Sequence, residues 1–488
     1  MEKTVVLYPG LPVSHFRPMM QLADALLEAG YTVVVAVIDA TKEQNPDMAA
    51  AVGRIIASSN PAVTFHTLPR IPDPPTITND VNLFLGYFEL IRRYNKPFHE
   101  LLRTMPPRRI HTVIVDSVSN AALDVTRELG IPAYIFFTTN ASVLAVYLQV
   151  PSIRAEGEPS FKELEDDTLS FHGAPPMPAS HLLEQLLEHP DSEIYKEMVS
   201  SLSNNMEADG ILVNTLASLE ARALGALTDP QFLPAGTGSE LTMPPVYCVG
   251  PLVQGAAGTE GKHECLTWLD EQPERSVVFL CFGSIGMGNH SEAQLKEIAV
   301  GLERSGHRFL WVVRAPLGDN PEKAFGRDAN PDLHGLLPDG FLERTSGRGI
   351  VVKIWAPQVD VLHHRATGAF VTHCGWNSVL EGITAGVPML CWPQYAEQKM
   401  NKVFMVEEYG VGVEMVGWQQ GLVTAEEVEA KVRLVMESEK GEQLRAQVMA
   451  HKEAADMAWK DGGSSRAAFG KFLVDVHAGP GASTPLNY

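Results

Sequence analysis

The sequence is poor in paired cysteines, in long apolar runs and in positive charge. Five cysteines, Cys248, Cys265, Cys281, Cys374 and Cys391, are scattered through 488 residues. Their number is odd and no CxxC pair occurs, which argues against a disulfide framework or a structural zinc site. They read as reduced thiols of a cytoplasmic protein, with Cys374 set apart by its polar neighbours. No run reaches the roughly 18 apolar residues that span a bilayer. The first apolar run, Val5 to Tyr8, stops at Pro9 and is too short for a signal peptide. No integral membrane span is expected, and a monomer is. Lys and Arg number 38 against 59 Asp and Glu, a formal net charge of −21. That field repels a polyanion, so nucleic acid is excluded as a partner. An anion site must then be built from backbone N–H groups and a few side chains.

Sequence repeats are also missing, and the 34 prolines and 40 glycines are dispersed, marking turns rather than a low-complexity tract. The length suits two domains of roughly 200–250 residues each. Strand, loop, helix and strand fill the first 40 residues. Thr4 to Tyr8 is β-branched and apolar, and Pro9-Gly10-Leu11-Pro12 ends it. Pro18 suits the first turn of a helix with Met19, Leu22, Ala23, Leu26 and Leu27 on one face. Tyr31 to Ile38 is a continuous apolar strand, as in a parallel sheet covered on both faces. Further strands are predicted at Thr112 to Val115, Tyr134 to Phe137 and Gly210 to Asn214. A segment rich in Pro, Gly, Ala and Thr follows. Strands then recur at Ser276 to Phe282, Arg308 to Val313, Gly349 to Lys353, Ala369 to Thr372 and Pro388 to Trp392, with a helix at Glu292 to Ser305. Such alternation predicts two α/β doubly wound domains. The expected division is 1–240, a linker region at 241–262, 263–463, and a last helix and tail at 464–488 that could return to the first domain. Ligands of open α/β sheets bind at the carboxyl ends of the strands, which places a cleft between the two domains.

The most informative segment runs from Trp355 to Gln398. A strand ending at Thr372 leads through His373-Cys374-Gly375 into a helix that begins at Trp376-Asn377-Ser378 and ends near Gly386. A tight strand-to-helix join presents unpaired amides and the positive end of a helix dipole, an anion site by construction. Gly375 admits a close backbone approach, Asn377 and Ser378 add donors, and His373 can donate another hydrogen bond. A diphosphate is the natural guest. Glu381, one turn on, could accept from a ribose diol. Trp355 offers a flat face to a base, Ala356 and Gln358 could pair its edge, and Glu397-Gln398 suit sugar hydroxyls.

This segment resembles, without a gap, the UDP-sugar-binding signature box of the plant family-one glycosyltransferases. The match takes in W-A-P-Q, H-C-G-W-N-S with its following Glu, G-V-P and the closing E-Q. It extends to I-L-V-N-T at 211–215, V-G-P-L at 249–252, W-L-D at 268–270 and F-G-S at 282–284. The resemblance implies a GT-B fold, two facing Rossmann-like domains, and UDP-glucose as co-substrate. It implies that Trp355 stacks on uracil, with Ala356 and Gln358 at its edge or the ribose. Ser284, His373, Gly375, Trp376, Asn377 and Ser378 would hold the diphosphate, and Glu381 the ribose. Tyr395, Glu397 and Gln398 would bind the sugar, the closing Gln resembling the glucose-using pattern. Thr138 is a further donor-site candidate.

The same resemblance makes His15 the catalytic base and Asp116 its partner. The chemistry agrees, because a neutral alcohol or phenol needs a base to become a nucleophile and an imidazole oriented by a carboxylate supplies one. A single displacement would invert the anomeric centre and give a β-glucoside. No metal or cofactor is expected if the helix N-terminus and His373 take the charge of the leaving diphosphate. One departure from the family pattern stands next to the base, where Ser14 replaces the usual Gly. The acceptor is expected to be a small, apolar, hydroxylated molecule, a flavonoid-like phenolic first of all, chosen by loops near 73–95 and 140–200. Attack by carbon or nitrogen, or a catalytically silent UDP-sugar-binding protein, are the alternatives. Simpler readings are preferred elsewhere. His363-His364 is a polar helix end, Gly283 to Gly288 has the wrong spacing for a dinucleotide loop, and Leu182 to Leu187 packs.

Overall fold

The computed structural model describes residues 3–39, 46–77, 82–105, 110–154, 158–233, 243–253, 255, 263–283, 289–316 and 330–479. The chain divides into two compact units, Met1–Val253 with Met457–Tyr488, and Gln254–Asp456. The first unit carries strands β1 (Thr4–Tyr8), β2 (Thr32–Ile38), β3 (Thr64–Leu68), β4 (Ile110–Asp116), β5 (Ala133–Phe137), β6 (Thr168–Leu169), β7 (Met177–Pro178), β8 (Gly210–Val213) and β9 (Val246–Cys248). The second carries β10 (Val277–Cys281), β11 (Arg308–Val313), β12 (Gly349–Lys353), β13 (Thr367–Thr372), β14 (Met389–Cys391) and β15 (Gly412–Glu414).

Among the described residues the first sheet has the order β3-β2-β1-β4-β5-β8-β9 and the second β12-β11-β10-β13-β14-β15, while β6 and β7 form a small antiparallel ribbon. Both large sheets are parallel and step outward in two directions from a central strand, the doubly wound arrangement. In each, the switch point lies at the carboxyl ends of the central pair of strands, β1 and β4 in the first unit and β10 and β13 in the second. The expected fold class, α/β GT-B built on Rossmann-like domains, is the one observed.

The apolar runs of the central strands explain the sheets. Val5, Leu7, Val33, Val35 and Ile114 are buried and meet Met19, Leu22, Ala23 and Leu26 of the helix Val13–Glu28. In the second unit Val278, Leu280, Trp311 and Val371 pack with Ile298 and Leu302 of the helix Glu292–Ser305. The last helix, Ser464–Ala478, belongs to the first unit, where Phe469, Phe472 and Val476 join its core. Tyr247 Oη donates to Asp475 at 2.6 Å, and Ser465 Oγ donates to the Gly250 carbonyl. Ser465 is thus a cross-link to the loop after β9, and Gly463 occupies the N-cap position.

Two local readings change. Val246–Cys248 lies inside the segment read as a linker, yet it is the edge strand of the first sheet, because its apolar side chains pair with β8. The first helix begins at Val13, not near Pro18. Pro12, fixed at φ −61° and ψ 134°, sits at the N-cap, and its carbonyl takes the His15 amide at 2.9 Å. His15 therefore stands on the first helical turn. Leu182, Leu183 and Leu186 are buried, as packing requires.

Candidate active site

In the first unit the helix start and the end of β4 bring His15 to Asp116. His15 Nδ1 lies 3.0 Å from both Asp116 oxygens. The imidazole is 23 % exposed while the carboxylate is fully buried. A carboxylate only accepts, so the proton of the pair lies on Nδ1 and the lone pair on Nε2. Asp116 also accepts from the Val118 amide at 2.9 Å, capping the turn Ser117–Ala122. One carboxylate thus serves both as the cap and as the histidine partner. Gly10 lets the first loop approach it, since a Cβ there would lie 3.1 Å from Asp116 Oδ1. Thr138, expected at the donor sugar, has its hydroxyl 3.1 Å from His15 Nδ1. Tyr87 Oη accepts from the Leu11 amide and meets Ser119 Oγ, both at 3.3 Å, tying the loops after β1 and β4 to one point.

In the second unit β13 ends at Thr372, and the helix Trp376–Ala385 starts three residues past His373 with Gly375 at its N-cap. Its C-terminus is closed by Gly386 in the left-handed region. The turn between strand and helix is made by Cys374, a non-glycine residue at φ 65°. Its carbonyl accepts from Asn401 Nδ2 at 2.9 Å. Asn401 is wholly buried, and sequence reasoning missed it because no motif position marks a contact across 27 residues. The Cys374 thiol is buried and burial pushes its pKa well up, so polar neighbours in sequence do not make it reactive.

His373 is buried, and its Nδ1 has no partner among the described residues. Burial, then the nearby Arg314 charge, pushes its pKa down to about 4. At neutral pH it is a neutral imidazole, a hydrogen-bonding group rather than a cation. Two glycines leave room beside its Nε2. A Cβ on Gly375 would come within 2.5 Å of that atom, and one on Gly283, at φ 88°, within 2.7 Å. Gly283 enters the sequence reading within F-G-S and within a glycine motif of the wrong spacing, and its part here is spatial. Ser284, the next residue, lies outside the described residues.

The remaining box residues hold one another. Gln358 Nε2 donates to Ser378 Oγ at 2.9 Å and to Glu381 Oε2 at 2.6 Å. Ala356 is buried, while Trp355 is 57 % exposed. Gln398 Oε1 accepts from the amides of Gln394 and Tyr395 at 2.9 and 3.0 Å, and Glu397 Oε1 accepts from Asn401 at 3.3 Å. Asn377 is half-buried on the first turn of the helix. His363 and His364 turn to the Val359 carbonyl and to Asp270. Among the described residues no group of three or more His, Cys, Asp or Glu is placed to hold a metal ion. No described helix is long and apolar enough to cross a membrane.

One doubly wound sheet thus ends in a histidine–carboxylate pair and the other in a tight strand-to-helix turn of the kind that can receive an anion. Residues 241–453 match the family model described as UDP-glucoronosyl and UDP-glucosyl transferase. The chain is 39% identical over 482 residues to an anthocyanidin 5,3-O-glucosyltransferase of a Rosa hybrid cultivar, covering 96% of this chain and 97% of that one. It is 41% identical over 436 residues to a phloretin 2'-O-glucosyltransferase of Pyrus communis, covering 87% and 88%. Among solved structures, Phytolacca americana UGT2 complexed with UDP-2fluoro-glucose and pterostilbene superposes with a TM-score of 0.83 at 30% identity, covering 97% of this chain and all of that one. The chain belongs to the UDP-glycosyltransferase family and is a UDP-glycosyltransferase.

Proposed function

We propose that this enzyme transfers glucose from UDP-glucose to a hydroxyl of a small phenolic acceptor, flavonoid-like in character, and inverts the anomeric carbon to give a β-glucoside. His15 Nε2 takes the proton of the acceptor hydroxyl. The oxygen attacks C1 of the sugar, and the bond from C1 to the diphosphate oxygen breaks, with its electron pair leaving on UDP. Asp116 holds the Nδ1 tautomer and steadies the imidazolium that forms. Trp355 stacks on uracil, with Ala356 and Gln358 at the base edge or the ribose and Glu381 on the ribose hydroxyls. The amides at Gly375 to Ser378, with Asn377, His373 and Ser284, take the diphosphate. Tyr395, Glu397 and Gln398 meet the glucose. Leaving-group charge is then balanced by the helix N-terminus and hydrogen bonds, and no metal is required.

The observation that carries this reading is the His15–Asp116 contact, both carboxylate oxygens at 3.0 Å from Nδ1. The relatives named for anthocyanidin and phloretin support the acceptor class, and their O-glucosyltransferase names support attack by oxygen. An acceptor panel tests it. UDP-glucose is expected to give products one hexose heavier with flavonoids and dihydrochalcones, labile to acid and to β-glucosidase, and UDP-galactose to work far less well. An acid-stable product would mean attack by carbon. Retained UDP binding without UDP release on any acceptor would mean a silent binding protein.

A further inference from the structure

Trp355 is the exposed residue on which the base-stacking reading depends, and core packing does not fix its ring. Its backbone is fixed. The Trp355 amide donates to Lys353 O at 2.7 Å, and Ile354 before it sits at φ 69° with its carbonyl accepting from Arg314 Nε at 3.1 Å. The side chain is met by His263, whose ring lies edge-to-face with the indole, centroids 5.8 Å apart and planes at 76°. Such a pair is attractive beyond the area it buries, because the positive edge of one ring meets the negative face of the other.

The His263 ring is itself anchored. It is the N-cap of the helix Glu264–Asp270, and its Nδ1 accepts the Cys265 amide at 3.3 Å. The Cys265 thiol lies 3.0 Å from the same nitrogen, and burial, then Glu264, pushes its pKa up to about 12, so it stays a donor. Two donors on Nδ1 leave the ring proton on Nε2 and hold the imidazole in one orientation. Nothing in the motif assigns His263 a role. The residue stands 92 positions before the tryptophan it touches.

We propose that His263 is a positioning residue for the donor, holding the Trp355 indole in the pose that receives the uracil ring. This rests on the reading of Trp355 as the base platform. The experiment is a double-mutant cycle on UDP affinity, measured by calorimetry, with KM for UDP-glucose and kcat alongside. His263→Ala is expected to weaken UDP binding about three- to tenfold and raise KM equally, with kcat within about twofold, because His263 touches no reacting atom. His263→Asn keeps a capping acceptor but no ring, and is expected to weaken UDP as Ala does. His263→Phe keeps a ring without the cap and is expected to bind within about twofold of wild type, as the ring pair survives. In a Trp355→Ala background, His263→Ala is expected to cost nothing further. The proposal is overturned if Asn restores affinity and Phe does not, if the two losses add, or if no His263 variant changes UDP affinity. Unchanged UDP affinity in Trp355→Ala alone would instead overturn the base-platform reading.

Discussion

The donor segment of the second unit and the histidine–carboxylate pair of the first solve opposite problems. The donor segment is proposed to hold a large, doubly charged ligand, yet its one arginine, Arg365, is turned to the Asp270 carbonyl. Its hydrogen bonds are already made among its own side chains, as Gln358 joins Ser378 to Glu381 and Gln398 grips two loop amides. Its buried imidazole, His373, is kept neutral by burial. The pair in the first unit handles one proton and concentrates charge, a fully buried carboxylate against a partly exposed ring. The first arrangement is contiguous in sequence, and the second joins residues 101 positions apart. On the proposed roles, binding is largely a local property of one folded segment, while proton transfer is a tertiary property of another unit. The two should fail independently under mutation.

The largest effect is expected at the pair. His15→Ala should lower kcat by about 10²- to 10⁴-fold, the range for a positioned general base, with UDP affinity measured by calorimetry held within about twofold. Loss of both together would break the separation between the regions. The mirror experiment is Glu381→Gln. It should weaken UDP about tenfold or more, because the amide presents a donor where Gln358 Nε2 already donates and where a ribose hydroxyl needs an acceptor. At saturating UDP-glucose its kcat should stay within a few-fold of wild type. A variant that lowers kcat alone would move Glu381 out of ribose binding.

The two units should also differ toward acid. His290 and His373 of the second unit have folded pKa values of about 3 and 4, both lowered first by burial. Their ordinary value is 6.5, so below it the unfolded chain binds protons that the folded chain refuses. The stability they contribute is complete above 6.5 and is lost as pH falls toward 4. The loss is about 1.4 kcal/mol per pH unit for each imidazole. In the first unit His111 is lowered too, but it is only half-buried and solvent blunts its share. His290 is enclosed by Phe282 and Trp392, with ring centroids 4.2 and 5.0 Å away. His290→Phe should therefore flatten the fall in unfolding temperature between about pH 7 and pH 5, read by scanning calorimetry. An unchanged acid limb would mean that another group governs it.

Much of this was legible because parallel sheets buried on both faces leave continuous apolar runs. Thr4 to Tyr8, Arg308 to Val313 and Gly349 to Lys353 were readable to the residue. Gly349–Lys353 is an edge strand, but the edge strands Thr64–Leu68 and Gly412–Glu414 were not read. Thr64–Leu68 is buried only at Leu68, and Gly412–Glu414 is three residues long, so neither presents a run. In the donor segment, spacing alone predicts the strand, the turn and the helix from Trp376 to Gly386. What spacing does not carry is contact between segments. Asn401 on the Cys374 carbonyl, Gly283 against His373 and His263 against Trp355 depend on how strands and loops stack, which no local pattern encodes.

Thr138 gives the smallest effect and the sharpest discrimination. Its sequence position, just after β5, led to a place at the donor sugar, whereas its hydroxyl lies 3.1 Å from the nitrogen that Asp116 also holds. A hydroxyl there shares the Nδ1 proton with the carboxylate and limits how far the ring can turn. Thr138→Val keeps the shape and removes that bond. If the hydroxyl serves the histidine, kcat should fall about two- to tenfold, the value of one net hydrogen bond. The ionisation that governs kcat/KM toward acid should shift, and KM for UDP-glucose should stay as it was. If it serves the sugar, KM for UDP-glucose should rise by a similar factor, UDP affinity should not change, and the pH profile should stay in place. Thr138→Ser, which restores the hydroxyl, should recover whichever quantity the valine variant lost. The first outcome makes Thr138 a third member of the proton-transfer group. The second moves it to the donor side of the comparison, and the two units would then share the work of holding the sugar.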